Sequence, residues 1–521
     1  MHATEALQLM IDRQVSRLRA SLHGDRRAAI LAVLRAHALQ PADSLASSVP
    51  DLVSGRRIAN LGGNRALQLC VESIASTPTA VVADDAWSAH FLDECGRLAE
   101  AELVLRHAET GFMKLVATGA ESFDAWVATK LPPASWQERV ALDGWAGWLA
   151  RHRQQASQPP ATSIVQAMAH QLSYPPDATI GGQTIRLHCD VLERLLGIAL
   201  AAPDGDIIFS ASDLADRLAA TLPAGPASIA TVLAAFTLDG ENAGYHADVP
   251  GIASPPLVRL DGDTLALSRF GLTSEPLLFL SRELRRRYSQ DYHNSAHLRE
   301  NVFRADLYEL FGDKRFVTSS ARIELRRESG NVRTDVDAVV FDRKTGTLGI
   351  FEMKSQDPFA RSTAELTRQR DNLLYANRQV SGVLAWLQRY GPNELLNRVD
   401  SRTARKFRAH KVYPFVLGRY FAHPGDGPAP DRRAAWGTWP QLLRWRDSQP
   451  SIATASNPIA SLHAYVTKDA PVVQLPPEIG KQTIPLGAAR INVYPSYAVY
   501  QGERRGTVEG LPGPPSSAST G

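Results

Sequence analysis

The stretch Thr334–Ser355, TDVDAVVFDRKTGTLGIFEMKS, constrains this 521-residue chain more than any other. Two runs rich in β-branched and aromatic residues, Thr334–Asp342 and Thr347–Ser355, flank the short link Arg343–Gly346, which ends in glycine. That pattern predicts a β-hairpin. Side chains alternate along a strand. With Asp342 opposite Thr347, antiparallel pairing puts Asp337 opposite Glu352 and Asp335 opposite Lys354. Directly opposed residues hold their Cβ atoms about 4.5–5.5 Å apart. Two carboxylates so placed repel each other at the corner of a face otherwise made of Val339, Phe341, Leu348 and Ile350. A divalent cation between them reverses the sign of that interaction. An oxygen-only donor set suits Mg²⁺ or Mn²⁺. Lys354, on the same face, adds a positive charge that can orient a water and neutralise charge developing on a phosphoryl group.

The flanking elements extend the pattern. A strand is predicted over Phe316–Arg327, a helix over Ala296–Phe311 before it, a helix over Ser362–Leu387 after the hairpin, and a last strand over Lys411–Tyr420. In that order, with an Asp ahead of an apolar run (DAVVFD) and Glu-x-Lys ending the next strand (FEMK), the residues resemble the PD-(D/E)XK nuclease superfamily. The resemblance implies a restriction-endonuclease-like αβββαβ core and Mg²⁺-dependent (or Mn²⁺-dependent) hydrolysis of phosphodiester bonds in DNA. Asp337 and Glu352 would hold the metal, and Lys354 would assist the water. Glu300, where many members carry a further metal-side carboxylate, and Gln369 on the following helix would support them. Asp335 is a second metal ligand, a salt-bridge partner of Lys354, or neither. Glu300 has an ordinary reading as well, an ion pair with Arg304 one helical turn on. RecB-like members place a Tyr four residues after their Gln, whereas Tyr375 follows Gln369 by six, so that subtype is not established. By analogy with bacterial multidomain nucleases, the setting would be antiviral defence or DNA repair. The competing expectation is a nucleic-acid-binding or assembly protein that keeps the fold as an inactive scaffold.

Charge supports a phosphate-facing partner. The chain carries 57 Lys+Arg and 54 Asp+Glu, a net of +3. Residues 281–421 hold 27 Lys+Arg against 17 Asp+Glu, a local excess of +10 that leaves −7 elsewhere. Within it, Arg285, Arg286, Arg287, Arg326 and Arg327 are candidate nucleic-acid contacts, and Tyr288, Tyr292 and His293 are candidate stacking groups. The remainder reads as α/β and multidomain. Residues 1–160 form a helical region, with apolar periodicity in Ala28–Leu39, Ala66–Ile74, Trp87–Leu105 and Trp136–Trp148. This region is left as the surface for protein partners. Residues 161–280 read as a small winged-helix-like subdomain, in which Ala227–Phe236 has no Lys or Arg with which to read DNA. Residues 281–446 carry the nuclease-like core, and 447–521 are irregular with a disordered tail. Three scattered cysteines exclude a disulfide framework and a cysteine zinc site. No apolar run approaches membrane length. A cytoplasmic protein without a membrane segment is expected, and neither a P-loop nor a serine-hydrolase motif is present.

Overall fold

The structure is a computed structural model and describes residues 2–22, 26–38, 55–72, 85–109, 111, 113–127, 168–169, 172–202, 205–251, 253–273, 276–326, 332–357, 363–419, 422, 430–468 and 481–494. The chain is a mixed α/β protein with several sheets. Among the described residues no helix is long and apolar enough to cross a membrane.

Helices α2 (Arg26–Ala38), α3 (Gly55–Glu72) and α4 (Asp85–Glu109) overlap the periodic stretches of the sequence, and α1 (Ala3–Ser21) precedes them within the region expected to be helical. The hairpin of β1 (Met113–Gly119) and β2 (Ser122–Val127) follows them, so the region expected to be helical throughout also contributes a sheet. The helix predicted over Trp136–Trp148 lies outside the described residues, and Trp126 stands on β2.

The middle unit opens with the short strands β3 (Thr179–Ile180) and β4 (Gln183–Thr184). Thr184 then caps α5 (Ile185–Ala201), accepting from the Leu187 N–H at 3.2 Å. Next come β5 (Ile208–Ser210), α6 (Ala211–Ala219), α7 (Pro226–Ala235), β6 (Thr237–Leu238) and the short α8 (Ala243–His246). The hairpin of β7 (Leu257–Asp261) and β8 (Thr264–Leu267) completes the helix–turn–helix-plus-wing order expected from the sequence. Asp263 in its turn accepts from Ser210 and Ser212 and ties the wing to the start of α6. The helices α9 (Arg269–Thr273), α10 (Pro276–Arg287) and α11 (Ser289–Asn294) lead out of the unit. Leu277, Leu278, Leu280 and Leu284 of α10 belong to the same apolar core as Leu192, Leu214, Ile229 and Leu265. The boundary expected at residue 281 therefore falls inside a helix. It was placed where the charge changes, and the charge changes along one face of α10.

The third unit is a sheet between two helical layers. It runs through α12 (Ala296–Leu310), β9 (Phe316–Thr318), β10 (Ile323–Arg326), β11 (Val332–Val336), β12 (Ala338–Asp342), β13 (Thr347–Lys354), α13 (Thr363–Tyr390), α14 (Pro392–Val399), α15 (Ser401–Lys406), β14 (Lys411–Gly418), β15 (Ala435–Thr438), α16 (Trp439–Asp447) and α17 (Pro458–Lys468). The five-stranded sheet has the order β15-β14-β13-β12-β9, with β13 parallel to β14 and β12 antiparallel to β13. Phe303, Val340, Phe351, Phe415, Trp445 and Leu462 fill one face, against α12, α16 and α17. Val339, Phe341, Leu348, Ile350, Val383 and Trp386 fill the other, against α13 and α14.

The hairpin register is the expected one, with Asp342 opposite Thr347 and Ala338 opposite Phe351. The two outer strands differ from the sequence reading. Each expected strand is broken, and β10 pairs with β11 in an arm of its own. Thr318 faces Val340 on one side of the break and Ile323 faces Val336 on the other, so residues 319–322 oppose only 337–339. That one-residue excess is a bulge, which bends a hairpin. As a result Asp335 pairs with Glu324 and not with Lys354, and Asp337 stands in the bend.

The region beyond 446 is not irregular throughout. Helix α17 packs on the sheet, and β16 (Gln482–Leu486) and β17 (Ala489–Tyr494) add to β1–β2 in one four-stranded sheet, with β17 parallel to β2. The tail expected to be disordered lies outside the described residues.

At the end of the sheet opposite the bend, buried Asp342 accepts two bonds from Arg315, at 2.7 and 2.6 Å. The same guanidinium donates to the carbonyls of Ala453, Ala455 and Ser456. Arg315→Ala strands a buried carboxylate, so denaturant unfolding of this unit is expected to show a loss of about 3–5 kcal/mol. A loss under about 1 kcal/mol would mean that the pair is not structural.

Candidate active site

The bend at Asp337 places the acids. A straight strand would send Val336 and Val339 to opposite faces, yet both reach the core under α13. The backbone donors freed by the break are met by side chains. The Met353 N–H donates to Asp337 Oδ2 at 2.7 Å, and the Val339 N–H to Ser319 Oγ at 3.3 Å, with Ser319 Oγ and the Tyr308 hydroxyl 2.6 Å apart. Asp337 thus continues the β12–β13 ladder with its carboxylate, which fixes it beside the strand that carries Glu352.

Glu352 and Lys354 end β13 on the face towards α13. Glu352 is 5% exposed. Lys354 Nζ donates to Glu352 Oε1 at 2.6 Å and to Gln379 Oε1 at 3.0 Å. Gln379 Nε2 reaches Asp335 Oδ1 at 3.5 Å, and Asp335 Oδ2 pairs with Arg322 at 3.1 Å. The strand end is itself held, because the Arg419 N–H donates to the Lys354 carbonyl at 2.9 Å and the Arg419 side chain pairs with Asp306 on α12.

These charges are too close together and too dry to behave ordinarily. Burial and the Asp337 charge push the Glu352 carboxyl up to about 8 against the pull of Lys354. Burial also raises Asp337, although the Met353 N–H and Lys354 favour its ionised form and Asp335 opposes it. Loss of water and the Asp337 charge raise Glu300 on α12, an exposed residue whose carboxylate senses Lys354 as well. Burial alone would lower Lys354, but Glu352, Asp337 and Glu300 outweigh it and keep the ammonium charged. The site therefore gathers more acid than base, with Glu352 and Asp337 both disfavoured as anions until a cation joins them.

Oxygen donors, adjacent and under-neutralised, fit a hard divalent cation such as Mg²⁺. Among the described residues no group of three or more His, Cys, Asp or Glu is placed to hold a metal ion. A cation held by Asp337 and Glu352 alone would keep several positions for water and substrate oxygens, as Mg²⁺ commonly does.

The remaining expected residues are placed differently. Gln369 donates to the Asp357 carbonyl at 2.7 Å and braces the loop after β13, while Gln379, ten residues further along the helix, reaches Lys354. Asp335 is engaged by Arg322 and Gln379. The phosphate-facing role expected of Arg285–Arg287 is not what their geometry shows, since each closes an internal ion pair. Arg285 pairs with Asp357 and Glu365, and Arg286 and Arg287 with buried Glu283. Arg326 pairs with Glu324 on its own strand, and Arg327 lies outside the described residues. Tyr292 is buried, its hydroxyl donating to Asp357 Oδ2 at 3.0 Å, so it offers no face for stacking. Sequence reasoning missed Gln379 and Arg322, since neither belongs to the expected motif.

No family model, no curated protein and no solved structure matches this chain.

A carboxyl raised in the folded state binds more protons than the unfolded chain over the intervening pH range. Its contribution to stability is full below the ordinary value and is lost as pH rises through the raised one. With Glu352 near 8 against an ordinary 4.5, the metal-free protein is expected to lose stability between about pH 5 and 9. Glu352→Gln removes that loss. In EDTA the variant's thermal midpoint is expected to exceed the wild type's by several degrees at pH 9 and to converge with it near pH 5. Parallel curves for the two proteins would refute the assignment.

Proposed function

We propose that this chain is a divalent-metal-dependent nuclease of the PD-(D/E)XK type that hydrolyses phosphodiester bonds in DNA. The supporting observation is the pairing of Asp337 with the Glu352–Lys354 strand end, a buried and a half-buried carboxylate of raised pKa beside an ammonium held at 2.6 Å from Glu352. The order of helix α12, the β9–β13 hairpins, helix α13 and parallel strand β14 supports a restriction-endonuclease-like core.

In this reading Asp337 and Glu352 hold the cation, and Glu300 adds a carboxylate at the rim. A bound Mg²⁺ or Mn²⁺ supplies Lewis acidity towards a phosphoryl oxygen and a more acidic water. Lys354 supplies positive charge where negative charge develops on the phosphoryl group. Gln379 is a positioning residue, holding Nζ through its amide oxygen while its nitrogen turns to Asp335. Within the winged-helix-like unit, α7 carries no basic residue with which to read DNA.

Plasmid, linear and single-stranded DNA incubated with the full chain should be cut in Mg²⁺, spared in EDTA, and cut again when Mg²⁺ is restored. Glu352→Gln, Asp337→Asn and Lys354→Met are each expected to lower turnover about 10²–10³-fold or more. Cleavage that survives Glu352→Gln would remove the chemistry from this site. Binding without cleavage of any form would favour the inactive-scaffold reading.

A further inference from the structure

The large hydrophobic side chains that are exposed among the described residues are Leu9, Leu200 and Tyr375. Leu9 lies on α1 and Leu200 on α5, away from the candidate site. Tyr375 is on α13, 50% exposed, with Lys354 Nζ 5.6 Å and the Arg378 guanidinium 5.2 Å from its ring centroid. The ring is half open to solvent while lying within cation–π range of two positive groups, one of them the ammonium of the candidate site. Helical spacing extends the feature. Arg368, Asn372, Tyr375 and Gln379 recur at intervals of four, three and four and so share one flank of α13. At 1.5 Å of rise per residue that flank is about 16 Å long. Arg368 and Asn372 are exposed, and Gln379 at the far end touches Lys354.

We propose that Tyr375 stacks on a nucleobase next to the scissile phosphate, and that the Arg368–Asn372–Tyr375 flank of α13 guides a single DNA strand to Lys354. The proposal rests on the nuclease reading and narrows its substrate. A base inside a duplex has both faces covered by its neighbours, whereas an unpaired base can offer one to the ring. Positive groups close to the ring suit the phosphates that flank such a base. The substrate class is therefore single-stranded DNA, or a duplex end that frays.

The test uses the full chain in Ca²⁺, to hold cleavage back, with a single-stranded oligodeoxynucleotide carrying 2-aminopurine. Wild type and Tyr375→Phe are expected to quench the probe through stacking. Tyr375→Ala should bind about 5- to 150-fold more weakly and lose the quench. The same base within a blunt duplex should be bound without quenching. Unchanged affinity and quenching in Tyr375→Ala, or a duplex quenched as strongly as the single strand, would overturn the proposal. A protein that cuts DNA in Mg²⁺ yet shows no effect of Tyr375→Ala refutes the stacking role and leaves the nuclease reading standing. One that stacks the probe and never cuts refutes the nuclease reading alone.

Discussion

A strand that stays in its ladder satisfies its backbone donors through its neighbours and sends its side chains strictly to alternate faces. At Asp337 this arrangement is interrupted, and the Met353 N–H is left to a side chain. The Asp337 carboxylate meets that donor from the strand's edge. Meeting it holds the half-buried carboxylate beside the strand that carries Glu352. The raised pKa of both acids, the short bond from Lys354 to Glu352 and the recruitment of Gln379 follow from holding so much negative charge in a dry corner. The site is therefore a consequence of how the sheet breaks as much as of which residues it carries.

The loop after β13 connects this corner to the rest of the molecule. Asp357 receives Arg285 and Tyr292, Glu365 receives Arg282 and Arg285, and the Asp357 carbonyl receives Gln369. Helix α10, whose apolar side belongs to the winged-helix-like core, thus grips the polypeptide three residues beyond Lys354. Buried ion pairs of this kind add little net stability but are costly to break one-sidedly. They restrict the units to one arrangement relative to the loop.

The hairpin register was readable because a glycine-ended link and two alternating runs leave one way to pair. The identities of Asp337, Glu352 and Lys354 as neighbours followed from it. The break in the outer strands was not readable, because no Gly or Pro marks it. It is stabilised by Ser319 and Tyr308, which reach it only in the folded sheet. Gln369 and Gln379 are both buried on one helix, and choosing between them needs the angle at which that helix crosses the sheet. The arginine run Arg285–Arg287 looked like a phosphate patch since composition counts charges without their partners. Glu283, one turn away on the same helix, was visible, but Asp357 and Glu365 were not. Strands β16 and β17 were missed because a short edge hairpin is stabilised by the sheet it joins and not by its own pattern.

That last hairpin bears on how the chain is made. Arg490 on β17 meets Ser122 on β2 across 368 residues. Synthesis releases the first unit long before it releases the strand that closes its sheet. Domains usually settle in the order in which they leave the ribosome. Here β2 must wait with an open edge while the middle unit and the carboxylate-bearing sheet take shape. The strand that completes this sheet is made 368 residues after Ser122, so its pairing waits on the synthesis of both units that lie between them in the chain.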